Sequence, residues 1–184
     1  MEWYYDASKY LHIVFAIGWL GGGLALVMLG ARASQAKDGA EYVRVIRDML
    51  YLAERLFVPG ALLALVFGAL AAWLAGLYWQ AWIVIGLLGF AMTFLLGVAV
   101  LKPSGDRLVA QADKEGASAD VVRQCARILR IAKFDYVMLF TIAFNMVFKP
   151  AWSDWGLITG MAAVVAAAAI LFLAMPREGR IATA

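Results

Sequence analysis

The stretch ALLALVFGALAAWLAGLYWQAWIVIGLLGFAMTFLLGVAVL, residues 61–101, contains no charged side chain and decides the fold class. The hydrocarbon core of a bilayer is about 30 Å thick, so a helix needs about 20 mainly apolar residues to cross it. This stretch is long enough to contribute to two crossings. We therefore expect two membrane-spanning helices, at residues 57–77 and 81–101.

The composition extends this interpretation to the whole chain. Hydrophobic residues make up 65% of the 184 residues, charged residues make up 16%, and the mean hydropathy is +0.81. Soluble domains are nearer half apolar and a quarter charged. Three further stretches, residues 10–31, 130–148 and 155–175, are long enough to span, and they are apolar all round rather than alternating. We expect an all-α transmembrane bundle of five spans that forms one domain over residues 1–184.

The basic residues concentrate on one side of this predicted bundle. Residues 32–56, residues 102–133 and the C-terminal tail carry every Lys and Arg except Lys9 and Lys149. Because basic segments stay in the cytoplasm, we expect an external N-terminus and a cytoplasmic C-terminus. The start, MEWYYDASKY, lacks the basic character of a secretory signal, so the first span is expected to be permanent. Tryptophan and tyrosine residues lie at the predicted external ends of the spans: Trp3, Tyr4, Tyr5, Tyr10, Tyr78, Trp79, Trp82, Trp152 and Trp155. We expect them either to anchor the spans at the membrane interface or to cover an external pocket.

Both connections on the basic side have the pattern of amphipathic helices. Residues 39–56 and 119–132 place apolar side chains at helical spacing and lead directly into spans two and four. We therefore expect these two spans to extend as helices into the cytoplasm, with Ser118 as the cap of the second extension. In contrast, residues 102–106, KPSGD, are rich in turn formers and are expected to end span three. Basic amphipathic helices at a membrane favour anionic lipid, so we expect that partner rather than nucleic acid.

Polar residues inside the spans are few, and span four carries most of them. Asp135, Met138, Ile142, Asn145 and Lys149 follow one another at steps of three and four residues, which places them on one helical face. We expect this face to point into the bundle. Asp135 is expected either to pair with a nearby Lys or Arg or to relay protons. Asn145 is expected to bond to another helix, and Lys149 to extend towards the headgroups.

Span one contains the only histidine. The segment KYLHIVFAIGWLGGG, residues 9–23, places His12, Trp19 and Gly22 on one face. A flat ring such as a porphyrin or a quinone fits against glycines, and a neighbouring helix fits equally well. The sequence shows no Ser/His/Asp set, phosphate loop or carboxylate pair, and the single Cys125 has no partner for a disulfide or a zinc site.

The residues Lys9, Leu11, His12 and Trp19, followed by three glycines, resemble the first span of a bacterial family of predicted integral membrane proteins, domain of unknown function 2269. The segment NMVFKP, residues 145–150, carries the same resemblance. It implies a location in the bacterial cytoplasmic (inner) membrane. The entry to span one is also similar to copper-resistance D-type proteins and to membrane protoporphyrinogen oxidases. The latter likeness implies that His12 ligates heme b.

Three hypotheses remain open from the sequence. In the first, the protein is associated with heme or redox chemistry, with His12 as axial ligand, Trp19, Gly22 and Asn145 in the pocket, and Asn145 orienting the imidazole. The second ligand would then be Met, Lys, water or the His12 of a symmetry-related copy, and no metal other than heme iron is expected. In the second, the protein is a cofactor-free structural or accessory membrane protein. In the third, it is a small proton-linked transporter that uses Asp135, although no internal repeat is present. A homodimer or a membrane-complex partner is compatible with the glycine-rich faces.

Overall fold

The structure is a computed structural model that describes residues 2–33 and 39–174, so Lys37, Arg177 and Arg180 lie outside the described residues. The described chain forms seven α-helices and three short π-helical segments, and it contains no strand. The helices are α1 (Glu2–Ala33), α2 (Gly39–Leu52), α3 (Val58–Leu74), α4 (Ala81–Leu95), α5 (Lys102–Glu115), α6 (Ala119–Phe148) and α7 (Trp155–Ala169). The π-helical segments are Ala53–Phe57, Leu96–Leu101 and Ile170–Ala174.

Five continuous helical stretches are long and apolar enough to cross a membrane. They are Glu2–Arg32, Gly39–Leu74, Ala81–Glu115, Ala119–Phe148 and Trp155–Ala174. Large apolar side chains face outward along them, such as Ile17 and Leu88, which are more than 60% exposed. Outward apolar side chains are stable only where lipid covers them. The prediction of an all-α bundle with five spans is therefore confirmed.

Span three does not end where the sequence predicts. A π-helical segment joins α4 directly to α5, and Pro103 lies in the first turn of α5. Proline has no backbone N–H to donate, and the continuous helix departs from regular α-helical bonding in the π-helical segment just before this position. Gly105 is buried against α2, where an added Cβ would lie 2.6 Å from a methyl group of Leu50. The prediction of a turn at residues 102–106 was wrong, because these residues serve helix packing and not chain reversal.

The extensions of spans two, three and four pack together at one end of the bundle. We call α2, α5 and residues 119–133 of α6 the three-helix unit, and the end that contains it the charged end. Ile46, Leu108, Val121 and Cys125 form its core and are at most 1% exposed. Ser118 caps α6 as predicted, accepting a hydrogen bond from the backbone N–H of Val121 at 3.4 Å. The apolar faces of these helices are therefore buried against one another.

The apolar bundle is held together by close contacts of α1 with α3 and α6. Trp19, Ala61 and Leu139 form a buried cluster at its centre. At Gly23, a Cβ would lie 2.9 Å from the ring of Tyr136, and at Gly30 it would lie 2.6 Å from Leu129. Small residues at these positions let the helix backbones approach, as is usual in membrane bundles. The loops at residues 75–80 and 149–154 lie at the other end of the bundle, which we call the loop end.

Candidate functional site

His12 is placed on α1 near the loop end, with its ring against α3. Its Nδ1 lies 2.7 Å from the backbone oxygen of Ala64. A carbonyl oxygen only accepts hydrogen bonds, so Nδ1 carries the proton and donates. In a neutral imidazole the other nitrogen, Nε2, then holds an unprotonated lone pair. The contact therefore fixes the tautomer that ligates metal through Nε2.

Gly68 provides the space for this hydrogen bond. It lies one turn after Ala64 on α3, and a Cβ at this position would lie 2.6 Å from Nδ1 and 2.8 Å from Cε1 of His12. Real Cβ atoms essentially never come so close to another atom. The absence of a side chain at Gly68 thus allows the imidazole to reach the backbone of α3. Beside it, the rings of Phe15 and Phe67 stack with centroids 5.7 Å apart.

Trp19 and Gly22 lie on the same face of α1 as His12, and protein side chains cover Trp19. The indole of Trp19 is 7% exposed and packs between Phe57 and Phe90, with ring centroids 5.9 and 5.3 Å away. The nearest atom to a Cβ at Gly22 would be a ring carbon of Phe57, at 3.8 Å. The structure therefore gives Trp19 a packing role, whereas Gly22 is half-buried and stays a predicted pocket residue.

Asn145 bonds to a neighbouring helix, as one part of the sequence analysis predicts. Its Nδ2 donates to the backbone oxygen of Trp82 on α4 at 2.6 Å, and the side chain is fully buried. Oδ1 of Asn145 has no hydrogen-bond partner among the described residues. Asn145 therefore does not orient His12. That expectation was wrong, because the backbone carbonyl of Ala64 occupies the position next to Nδ1.

The remaining polar residues of span four lie as the helical spacing predicts. Asp135 and Met138 are buried, whereas Lys149 is exposed. Oδ1 of Asp135 is buried without a hydrogen-bond partner, and no ion pair joins Asp135 to another described residue. The predicted ion pair is thus not formed within the described chain. Lys149 ends α6 in the left-handed conformation, with φ of 48°, and its Nζ lies 5.3 Å from the ring centre of Trp82.

The hydrogen-bond partner of His12 is not predictable from the sequence. Gly68 is one of several glycines in the spans, and nothing distinguishes it from the others. The partner itself is the backbone carbonyl of Ala64, and every residue type has such a group. The described residues hold no cluster of three or more His, Cys, Asp or Glu side chains around a common point. Within the described residues, a metal at this site would therefore have at most one further ligand of those residue types besides His12.

An apolar groove of about 660 Å³ lies elsewhere, between α6 and α7. Phe140, Phe144, Gly156, Gly160 and Val164 are among the residues that line it. None of the site residues predicted from the sequence lines this groove, so it is separate from the His12 site.

The comparison with protein families covers the first four spans of the bundle. The family model described as "Predicted integral membrane protein (DUF2269)" matches residues 7–150, from α1 to the end of α6. The chain belongs to this family. The match includes His12, Ala64 and Gly68 and leaves α7 outside. No curated protein and no solved structure matches the chain. The likeness to copper-resistance D-type proteins and to protoporphyrinogen oxidases stays a prediction.

Proposed function

We propose that this integral membrane protein binds heme b through Nε2 of His12. The observation that carries the proposal is the 2.7 Å hydrogen bond between Nδ1 and the carbonyl oxygen of Ala64. Histidines that bind metal almost always donate their other ring N–H to a carbonyl, a carboxylate or water, which fixes the ring and makes the ligating nitrogen more basic. His12 has this arrangement, so its imidazole is a suitable ligand for the iron of heme.

The pocket in this proposal differs from the one expected from the sequence. His12 would hold the iron, Gly68 and Ala64 would orient its ring, and Phe15 and Phe67 would supply apolar surface beside it. When bound, heme supplies one-electron redox chemistry. Trp19 packs between Phe57 and Phe90, and this proposal does not assign it to the pocket.

An absorption spectrum tests the proposal. The detergent-solubilised protein would be recorded with and without added hemin, before and after dithionite. We expect a Soret band in the wild type and in Tyr10→Ala, a control that removes an exposed side chain from the same end of α1. We expect no band in His12→Ala. A wild type that stays colourless with hemin, or a band that His12→Ala retains, would refute heme ligation by this residue.

A second candidate function is a cofactor-free structural or accessory role. The same contact favours it, because the His12–Ala64 hydrogen bond ties α1 to α3 without any ligand. In this case the spectra would be featureless, and His12→Ala would lower stability by about 1 kcal/mol, the usual net value of one hydrogen bond. A third candidate, a small proton-linked transporter, is favoured by the buried and unpartnered Oδ1 of Asp135. Proton uptake by proteoliposomes that is lost in Asp135→Asn would support it.

We further propose that the protein resides in the bacterial cytoplasmic membrane, with the charged end in the cytoplasm and the N-terminus outside. The bias of Lys and Arg towards the three-helix unit supports this orientation. The single Cys125 is fully buried, so a Cys125→Ser background suits labelling experiments. In that background, an impermeant thiol reagent should label Trp152→Cys in intact cells and Arg107→Cys only after lysis. The reverse pattern would invert the topology.

We also propose two partners for this protein, anionic lipid and a second copy of the chain. Anionic lipid headgroups would meet Arg55 and Lys133, which lie where the three-helix unit joins the spans. A second copy of the chain would pack on the outward face of α1, where nothing lies within 4 Å of a Cβ built at Gly18 or Gly21. No role with nucleic acid is proposed.

A further inference from the structure

The two long sides of the three-helix unit differ in how their charges are neutralised. On the side formed by α2 and α5, oppositely charged residues pair. Arg47 contacts Asp113 at 2.7 Å, and Lys102 contacts Glu54 at 2.6 Å and Asp106 at 3.0 Å. Exposed pairs of this kind contribute little to stability, but they leave the surface nearly neutral.

The side formed by α5 and α6 is different. Its centre is a hydrogen bond from Nε2 of Gln124 to Oε1 of Gln111, at 3.0 Å. Arg107 and Lys114 lie one turn before and one turn after Gln111 on α5, and Arg127 lies one turn after Gln124 on α6. Residues three or four apart share a helical face, so all three cations surround the glutamine pair. We call these five residues the glutamine face.

The three cations of the glutamine face have no ion-pair partner among the described residues. They are exposed, and none takes part in a salt bridge. Of the neighbouring acids, Asp120 pairs with Arg123, whereas Glu115 accepts a hydrogen bond from Nε2 of Gln111 and so adds one carboxylate beside the three cations. The face therefore keeps a net positive charge, and its two central amides offer further hydrogen bonds.

The glutamine face also extends away from the membrane. Lys114 lies 12 residues after Lys102 on one continuous helix. At about 1.5 Å per residue, this corresponds to roughly 18 Å along the helix axis. Electrostatic attraction in a physiological salt solution decays over about 8 Å, so lipid headgroups near Lys102 attract Lys114 only weakly. Arg107, five residues after Lys102, lies within this range at roughly 8 Å, whereas the outer part of the face around Lys114 suits an occupant in the aqueous phase.

We infer that the glutamine face binds an acidic segment of a partner protein. Arg107 and Arg127 lie at matching heights on the antiparallel helices α5 and α6, so carboxylates of one extended or helical segment reach both. Arginine forms two parallel hydrogen bonds to a carboxylate, which gives such contacts direction as well as charge. This inference is independent of heme binding by His12.

The test uses the full-length protein in nanodiscs of neutral lipid. A fluorescent synthetic peptide of glutamate and serine is added, and its binding is measured by fluorescence anisotropy. The variant Arg107→Gln/Arg127→Gln should bind the peptide about tenfold more weakly than wild type, since each exposed ion pair contributes up to about 1 kcal/mol. The matched control is Arg32→Gln/Arg44→Gln, which removes two exposed cations that are not part of the glutamine face. The control should bind the peptide as the wild type does.

Three outcomes would overturn the inference. The first is a wild type that does not bind the peptide, and the second is an equal loss in both double variants, which would mean unspecific attraction. In the third, nanodiscs that contain anionic lipid abolish peptide binding to the wild type, which would make lipid the occupant. Should the double variant fail to fold, Lys114→Gln replaces it, with an expected loss of about threefold.

Discussion

The contact between His12 and Gly68 gives the sharpest prediction about this protein. In Gly68→Ala the new methyl group would lie 2.6 Å from Nδ1 of His12, so the imidazole must move and its hydrogen bond to Ala64 breaks. The lost hydrogen bond costs about 1 kcal/mol, and overpacking at a helix contact costs about 2 kcal/mol. The better helix propensity of alanine offsets about 1 kcal/mol of this. The expected net loss of unfolding free energy is about 2 kcal/mol.

Gly21→Ala is the matched control, because no atom lies within 4 Å of a Cβ at that position. This variant should gain up to about 1 kcal/mol from helix propensity alone. The two variants should thus differ by about 3 kcal/mol in unfolding by sodium dodecyl sulfate in mixed micelles, followed by circular dichroism. In a His12→Ala background the penalty of Gly68→Ala should disappear, since the clash is with the imidazole. Equal stability of the two single variants would refute the close approach of α1 to α3.

Three further variants probe other contacts. Leu108→Ala removes a fully buried side chain from the three-helix unit and should lower the unfolding free energy of the protein by about 3 kcal/mol. The control Val109→Ala truncates a half-buried side chain and should cost less than about 1 kcal/mol. Equal losses in the two variants would contradict the packing of this core. In Gly86→Ala the new methyl group would clash with the terminal methyl group of Met146, a flexible side chain, and the variant should lose about 1 kcal/mol of stability in the same assay. If Met146→Ala does not restore the stability lost in Gly86→Ala, another contact is responsible. Arg47→Gln removes an exposed ion pair and should cost less than about 1 kcal/mol, as measured by thermal unfolding at low and high salt; a larger loss would mean that the pair is shielded from water.

Much of the bundle is predictable from the sequence because membrane insertion depends on local composition. Five stretches of adequate length and hydropathy give the number of spans, and the structure places a helix at each of them. The inward face of span four follows from spacing alone, and Asp135, Met138 and Asn145 are indeed buried. The end of span three does not follow in this way. The turn-forming residues Pro103 and Gly105 lie within one continuous helix, with Pro103 just after a π-helical segment and Gly105 against Leu50.

The candidate site is only partly predictable, for a different reason. His12 is conspicuous in the sequence as the single histidine of an apolar chain, and its depth near one end of span one follows from the hydropathy pattern. Its hydrogen-bond partner is a backbone carbonyl on another helix, at Ala64, which any residue type provides. The neighbours of Trp19 and Asn145 likewise come from α3 and α4. The rotation and height of one helix against another decide these contacts.

The sequence by itself therefore determined that this protein is an all-α membrane protein with five spans and its basic residues at one end, because length, hydropathy and charge are properties of each segment alone. Only the tertiary structure decided that Nδ1 of His12 bonds to the carbonyl oxygen of Ala64, and that the extensions of spans two, three and four bury their apolar faces in one another. Both results depend on which helices become neighbours. That choice follows from close packing at small residues such as Gly68 and Gly105, and not from the pattern within any one span.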